Sequence, residues 1–143
     1  MPKGSTYSND ILKLIFNGTA IANIADNAAA SPLTSLYLAL HTADPGVGGS
    51  QTTNETAYTN YARVAVARNS GGWTITGDTV ANAALAQFPQ CGASGATITY
   101  ISIGTAASGT GKVLYSGALN ASLVVANLIQ PQIGAGALTV EEI

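Results

Sequence analysis

The sequence is poor in charged residues. Only 8% of its 143 residues are Asp, Glu, Lys or Arg, against roughly a quarter in an ordinary soluble domain. The five basic residues form no run and the formal net charge is -2, so the chain lacks the basic patch that a phosphate backbone requires. Copies with so little charge repel each other weakly, which indicates a protein built to have close neighbours.

One cysteine and one histidine limit the possible chemistry. Cys91 has no disulfide partner and no companion ligands for zinc, so we interpret it as a small buried residue. His41, followed by Asp44, suggests catalysis or metal binding, but the chain has no second histidine to act as base or ligand. We therefore interpret His41 as a strand-end residue bonded to a turn. No catalytic, cofactor-binding or metal-binding residue is predicted, no cofactor is expected, and we expect no enzyme activity.

Long apolar runs are also missing. None approaches the roughly 20 residues of a membrane span, and the N-terminal residues 1–10 have no signal-peptide core behind them. We therefore expect a soluble protein made in a cytoplasm. The acidic residues are few and scattered over loops, the helix start and the tail, so support for a paired-carboxylate glycosidase site is weak. They are Asp10, Asp26, Asp44, Glu55, Asp78, Glu141 and Glu142.

The sequence does contain short segments in which apolar and polar residues alternate as in β-strands. In residues 35–46, SLYLALHTADPG, every second residue from Leu36 to Leu40 is a leucine, which is the period of a half-buried strand, and Pro45-Gly46 ends it. Further strands are predicted at 61–68, 73–76, 80–88, 96–105, 112–119, 122–128 and 133–140. About eight strands without βαβ alternation predict an all-β fold, an antiparallel β-sandwich of jelly-roll type.

One short N-terminal helix is predicted beside these strands. Residues 1–7 are read as a flexible arm and residues 8–17 as the helix, with Ser8 as N-cap and an apolar stripe of Ile11, Leu14 and Ile15. The length fits a single β-sandwich domain over residues 1–143. The residues predicted to be buried are Leu36, Leu38, Val64, Val66, Trp73, Phe88 and Ile103.

The aromatic residues allow a second interpretation. Trp73 with Tyr58, Tyr61, Tyr100 and Tyr115 could form a platform on which sugar rings stack, whereas core positions in a sandwich are the commoner role of large aromatic residues. A carbohydrate-binding module with exposed Tyr58 and Tyr61 is therefore the alternative from another functional class.

Five blocks of the chain resemble a family of small tailed-phage virion structural proteins. They are SLYLALHTADPG (35–46), TNYARVAVAR (59–68), GWTITGDTVANAALAQFP (72–89), ISIGTAASGTGKVLYSGAL (101–119) and GAGALTV (134–140). The resemblance covers residues 8–140 and implies a β-sandwich with a structural role in the virion. Members are often labelled tail-fibre proteins, and the same type is similar to capsid cement (decoration) proteins.

The resemblance implies a non-enzymatic structural protein of the virion, and among the roles in the virion we expect that of a capsid cement protein. Such a protein is made in the host bacterial cytoplasm, binds the outside of the head and stabilises contacts of the major capsid protein. A tail-fibre or minor tail protein is the alternative within the virion. We expect self-association as a homo-oligomer, with neither nucleic acid nor membrane as a partner. Because charge steering is weak, the expected contact elements are segments without an evident core role, namely residues 1–7, 45–60 and 141–143.

Overall fold

The computed structural model describes residues 5–21 and 32–143. The elements in chain order are α1 (Ser5–Asn17), β1 (Ser35–His41), β2 (Val64–Ala67), β3 (Trp73–Thr76), β4 (Thr79–Asn82), β5 (Ala86–Gln87), β6 (Ala96–Gly104), β7 (Val113–Val125), β8 (Gln132–Ile133) and β9 (Thr139–Glu141). Among the described residues, no helix has the length and apolar character needed to cross a membrane.

The strands form three sheets within the described residues. Their orders are β2-β1-β6-β7, β3-β4-β9 and β5-β8. The pairs β1–β6, β6–β7, β3–β4 and β4–β9 are antiparallel. The predicted class, all-β with sandwich-like antiparallel sheets and one short N-terminal helix, is confirmed. The jelly-roll type of the sandwich stays a prediction.

The chain divides into two compact units. The first contains Met1–Ser35, Val66–Ala86 and Ile133–Ile143, and the second contains Leu36–Ala65 and Gln87–Gln132. Each unit is assembled from segments far apart in the sequence. A single domain over residues 1–143 stays a prediction.

Helix α1 belongs to the first unit and begins earlier than predicted. Residues 5–7 are helical, so the predicted flexible arm over residues 1–7 is wrong for these three residues, while 1–4 lie outside the described part of the chain. Ser8 is not the N-cap. It lies inside the helix and is buried in one ridge with Leu12 and Phe16, because residues four apart share a helix face.

The buried ridge of α1 also differs from the predicted stripe. Ile11, Leu14 and Ile15 are only half-buried. Phe16 packs edge to face against Trp73 of β3, with ring centroids 4.6 Å apart. This contact directs the ridge that contains Leu12 and Phe16 toward the core. Arg68 then donates hydrogen bonds to the carbonyl oxygens of Leu14 and Ile15. These are helix C-terminal acceptors without intrahelical partners, so a cation there stabilises the end of the helix.

Strand β1 in the second unit is buried on both faces. Leu36, Leu38 and Leu40 are buried on one face, as predicted, but Ala39 and His41 on the other face are buried too. The prediction of a half-buried strand is therefore wrong. The second face is covered because the loop after β1 folds back on it, as described below.

Most of the predicted core is confirmed. Leu36, Leu38, Trp73, Phe88 and Ile103 are at most 2% exposed. Val64 and Val66 are half-buried and alternate with exposed alanines, so the alternation of this segment is right but full burial is wrong. The reason is that β2 lies at the edge of its sheet.

The remaining differences between the predicted and the observed strands concern where each strand begins and ends. The strand predicted over 61–68 is only β2, and the one over 80–88 is divided into β4 and β5. The strand over 133–140 is likewise divided into β8 and β9, whereas the two predicted over 112–128 are one strand, β7. In β7 the four residues 119–122 lie opposite Thr99 alone, so a bulge marks the place where the sequence indicates a break.

Candidate functional site

His41, the one catalytic candidate of the sequence, is enclosed in the second unit. Its Nδ1 lies 2.9 Å from the carbonyl oxygen of Thr53, and its Nε2 lies 2.8 Å from Ser102 Oγ. A carbonyl can only accept, so Nδ1 carries the proton and the Ser102 hydroxyl donates to Nε2. Burial is the main cause that lowers the pKa of His41 below its usual value. The neutral ring therefore bridges two chain segments.

The contact between Ser102 and His41 has the geometry of a nucleophile and its base, but neither residue reaches solvent. His41 is 0% and Ser102 1% exposed, so a substrate has no approach to the hydroxyl. Asp44 does not complete a triad, since its carboxylate accepts the Gly46 N–H at 2.8 Å instead. Within the described residues, no three His, Cys, Asp or Glu side chains are grouped to hold a metal ion.

A buried ion pair lies at the end of the loop over residues 44–60. Arg63 donates from Nε and Nη2 to the two carboxylate oxygens of Glu55, both at 2.7 Å, and Tyr61 adds its hydroxyl at 2.8 Å. The Arg63 side chain is 3% exposed and that of Glu55 14%. The hydrogen bonds from Arg63 to this carboxylate are the main cause that raises the pKa of Arg63. Such a bidentate pair fixes both partners in one orientation.

Arg63 also fixes the turn between β6 and β7. Its Nη1 donates to the carbonyl oxygen of Ala106 at 2.9 Å and its Nη2 to that of Gly109 at 2.8 Å. The guanidinium thus connects the loop after β1 to this turn. The pairing of Glu55 with Arg63 was not predicted from the sequence, although two opposite charges in a chain with so few charged residues were an available signal.

Gln51 is the second anchor of the loop. It is 0% exposed, and its Oε1 accepts the Ala106 N–H at 2.9 Å. A Cβ atom built on Gly104 would lie 2.2 Å from Gln51 Cδ, and one on Gly111 would lie 1.8 Å from Gln51 Oε1. The two glycines therefore make the space that the amide occupies.

The loop is part of the core of its unit rather than a free contact element. Besides Gln51, Thr56 and Tyr58 are buried, and Glu55 forms a bridge with His41. The prediction that residues 45–60 have no core role is therefore wrong. Val47, fully exposed beside Gly46 and Gly48, belongs to the part of the loop that remains available to a partner.

The aromatic residues do not form an exposed platform. Tyr58 is 2% and Trp73 1% exposed, and burial raises the pKa of Tyr58 to about 12. Tyr58 donates its hydroxyl to the Pro89 carbonyl oxygen at 2.8 Å. Tyr61, Tyr100 and Tyr115 are half-buried. Of the side chains that motivated the carbohydrate-binding alternative, Tyr58 and Trp73 are therefore enclosed in the fold.

Cys91 is buried, as interpreted from the sequence. Its thiol lies 3.3 Å from the carbonyl oxygens of Gly92 and Ser94. These two neighbours lie in the same turn, so the contacts hold the thiol locally.

Exposed apolar side chains are the remaining candidate for function in the second unit. Val124 at the end of β7 is 67% exposed, and Leu128 and Ile129 after it are 69% and 43% exposed. Leu128 has φ +69°, a left-handed conformation that an L-residue with a bulky side chain rarely adopts. An exposed leucine in a strained position gains nothing from the core of its own unit, which is typical of a residue presented to a partner.

A comparison with known protein families finds a match for this chain. The matching family is described as podophage GP4 fiber I protein gp80, and the match covers residues 4–141. A search among curated proteins found no match. The family match includes all nine strands and confirms the resemblance to phage virion structural proteins, while the assignment to capsid cement rests on the sequence resemblance alone. The chain belongs to the family of the podophage GP4 fiber I protein gp80, a family of bacteriophage virion structural proteins.

Proposed function

We propose that the chain is a non-enzymatic structural subunit of a phage fibre that acts through uncharged protein–protein contacts. The observation that carries the proposal is the family match over residues 4–141, whose description names a fibre protein. The enclosed His41–Ser102 pair supports the absence of catalysis, since neither side chain is accessible. The exposed Val124, Leu128 and Ile129 supply apolar contact area.

Capsid cement is the second candidate function. In that role the chain would bind the outside of the head and stabilise contacts of the major capsid protein. The fully exposed Val47 favours it, because an exposed apolar side chain is available for burial against a neighbouring subunit.

The copy number of the chain relative to the major capsid protein in purified particles distinguishes the two functions. A fibre predicts a few to some tens of copies, and gold-labelled antibody at the fibres. A cement protein predicts copies on the order of hundreds, spread over the shell as its symmetry requires. Absence of the chain from washed particles would contradict both functions.

The chemistry of attachment can be tested on the same particles. Contacts made by uncharged groups are screened little by salt, so washing at about 0.05 M and about 1 M NaCl should leave the same amount of bound chain. Loss of most of the chain in the high-salt wash would contradict attachment through uncharged contacts.

A further inference from the structure

Residues 134–143 of the first unit lie along β4 and are attached to it through their backbone. In the antiparallel pair of β4 and β9, Val80 lies opposite Val140. Beyond the end of this pair the Glu142 N–H donates to the carbonyl oxygen of Asp78 at 2.8 Å. None of the side chains of residues 134–143 is buried, so the segment adds little apolar burial to the core. Segments of this kind open at a lower free energy than the core of a fold.

Asn82 closes the turn that leads into β9. Its Nδ2 donates to the carbonyl oxygen of Gly134 at 2.8 Å, and its Oδ1 accepts the Leu138 N–H at 2.9 Å. Its backbone accepts the Gly136 N–H at 2.8 Å and donates to the carbonyl oxygen of Leu138 at 3.2 Å. Asn82 is 2% exposed, so one buried residue holds both ends of this turn.

The closed form of the turn depends on Gly136. The Ala137 N–H donates to the carbonyl oxygen of Gly134 at 3.1 Å, so Gly136 occupies the third position of a four-residue turn. Its φ is +75°, which is the conformation that a type II turn requires there and that glycine adopts without strain. A Cβ atom built on Gly136 or on Gly134 would meet nothing within 4 Å, so the two glycines differ in backbone conformation and not in the space around them.

Opening of this turn makes β9 available to a second copy of the chain. The four residues 134–137 then extend over up to about 13–14 Å. Every contact that β9 makes on its own copy is formed again on the second copy, because both have the same sequence, so the exchange needs no unoccupied surface. Its cost is the opened turn and the lost freedom of two separate copies. Because only 8% of the residues are charged, repulsion between the copies adds little to this cost.

We propose that two copies of the chain exchange β9, so that residues 138–143 of each copy complete the sheet β3-β4-β9 of the other, with residues 134–137 as the hinge. The exchanged segment includes residues 141–143, one of the contact elements expected from the sequence. The inference names how copies join in the proposed structural role and rests on that role. Its test uses purified protein alone, so its failure is separate from a failure of the virion assignment.

The exchange is tested by a disulfide between two different variants. Ala81 of β4 and Thr139 of β9 lie directly opposite each other, within the separation that a disulfide spans. Ala81→Cys and Thr139→Cys, mixed at equal concentration and left to equilibrate before mild oxidation, should form a covalent heterodimer, since the two cysteines meet only when β9 has moved between copies.

Thr79→Cys mixed with Thr139→Cys is the matched control, because diagonal positions of an antiparallel pair are about 7–8 Å apart. Cys91 is buried in all three variants. The directly opposite pair should give at least about tenfold more covalent heterodimer than the diagonal pair. Equal amounts from the two mixtures, or no heterodimer from the opposite pair, would overturn the proposal.

The positive φ of Gly136 gives a second, independent test. Valine adopts this conformation only under strain, so Gly136→Val favours the open turn and should raise the association constant between copies at least about tenfold in sedimentation equilibrium. Gly134→Val is the matched control, since a Cβ there also meets nothing within 4 Å but φ is not positive, and it should associate as the wild type does. A Gly136→Val protein that stays at the monomer mass of 14.3 kDa, or equal association of the two variants, would refute the exchange.

Discussion

Neutralising Glu55 tests whether the loop after β1 is held by its ion pair. In Glu55→Gln the Arg63 guanidinium, whose side chain is 3% exposed, keeps the carbonyl oxygens of Ala106 and Gly109 but loses its only carboxylate partner within the described residues. Removing one partner of a buried pair leaves an uncompensated charge and costs about 3–5 kcal/mol. That is a large part of the 5–15 kcal/mol by which domains are usually stable.

The measurement is urea unfolding followed by far-UV circular dichroism. We expect a lower midpoint with an unchanged slope, since the surface exposed on unfolding stays the same. Glu141→Gln removes an exposed carboxylate in β9 and serves as control, with an expected change within about 0.5 kcal/mol. The double variant Glu55→Gln/Arg63→Met leaves no buried charge, so its loss should be smaller than the sum of the two single losses.

Two results would refute this reasoning. Glu55→Gln could behave like Glu141→Gln, which would mean that water or other groups compensate the guanidinium. Alternatively, the single losses could add up in the double variant, which would mean that the two side chains act separately. In either case the loop would be held by Gln51 and the buried Thr56 and Tyr58 rather than by charge.

Three further predictions follow from single side chains. Burial lowers the pKa of His41 from its usual value of 6.5, so that as the pH falls the unfolded state takes up the proton before the folded state does. The free energy of unfolding should therefore decrease below pH 6.5 by at most about 1.4 kcal/mol per pH unit. Urea unfolding between pH 7.5 and 5.5 should show this slope in the wild type and not in His41→Gln. Leu128→Gly should raise the free energy of unfolding by about 0.5–1 kcal/mol because it removes a leucine in the left-handed conformation. Leu85→Gly, at an exposed site without positive φ, should not raise the free energy of unfolding. Equal changes in the two variants would contradict the strain at Leu128. Gly104→Ala should lower the stability by about 1–3 kcal/mol because the new Cβ overlaps with Gln51. Adding Gln51→Ala should recover part of this loss, and additive losses in thermal unfolding would exclude the overlap.

The parts of the fold that follow from local pattern were predictable from the sequence. The alternation of apolar and polar residues predicted strands β1 and β3 and identified Leu36, Leu38 and Trp73 as core residues. Which of the two apolar ridges of α1 is buried could not be predicted from the local sequence. The ridge with Leu12 and Phe16 and the ridge with Ile11 and Ile15 are about equally apolar. The contact of Phe16 with Trp73 decides between them, and this depends on tertiary structure.

The loop over residues 44–60 shows why the candidate site was harder to predict. It has no periodic pattern, since its backbone is held by isolated bridges and single side chains instead of a continuous ladder. Gln51 bonds to Ala106 and Arg63 to Gly109, and these partners are far away in the sequence. Nothing in residues 44–60 alone indicates which turn they meet, so the segment resembles a free loop until the fold brings both parts together.

Some of the few charged side chains are used inside the fold, so they contribute little to the surface of the protein. Two of the five basic residues are committed to the fold, Arg63 to Glu55 and Arg68 to the end of α1. The surface is therefore poorer in charge than the 8% of the whole chain suggests. We therefore expect the contacts of a virion subunit with so little surface charge to depend on apolar burial and neutral hydrogen bonds, because few charged groups are available to steer or to hold a partner.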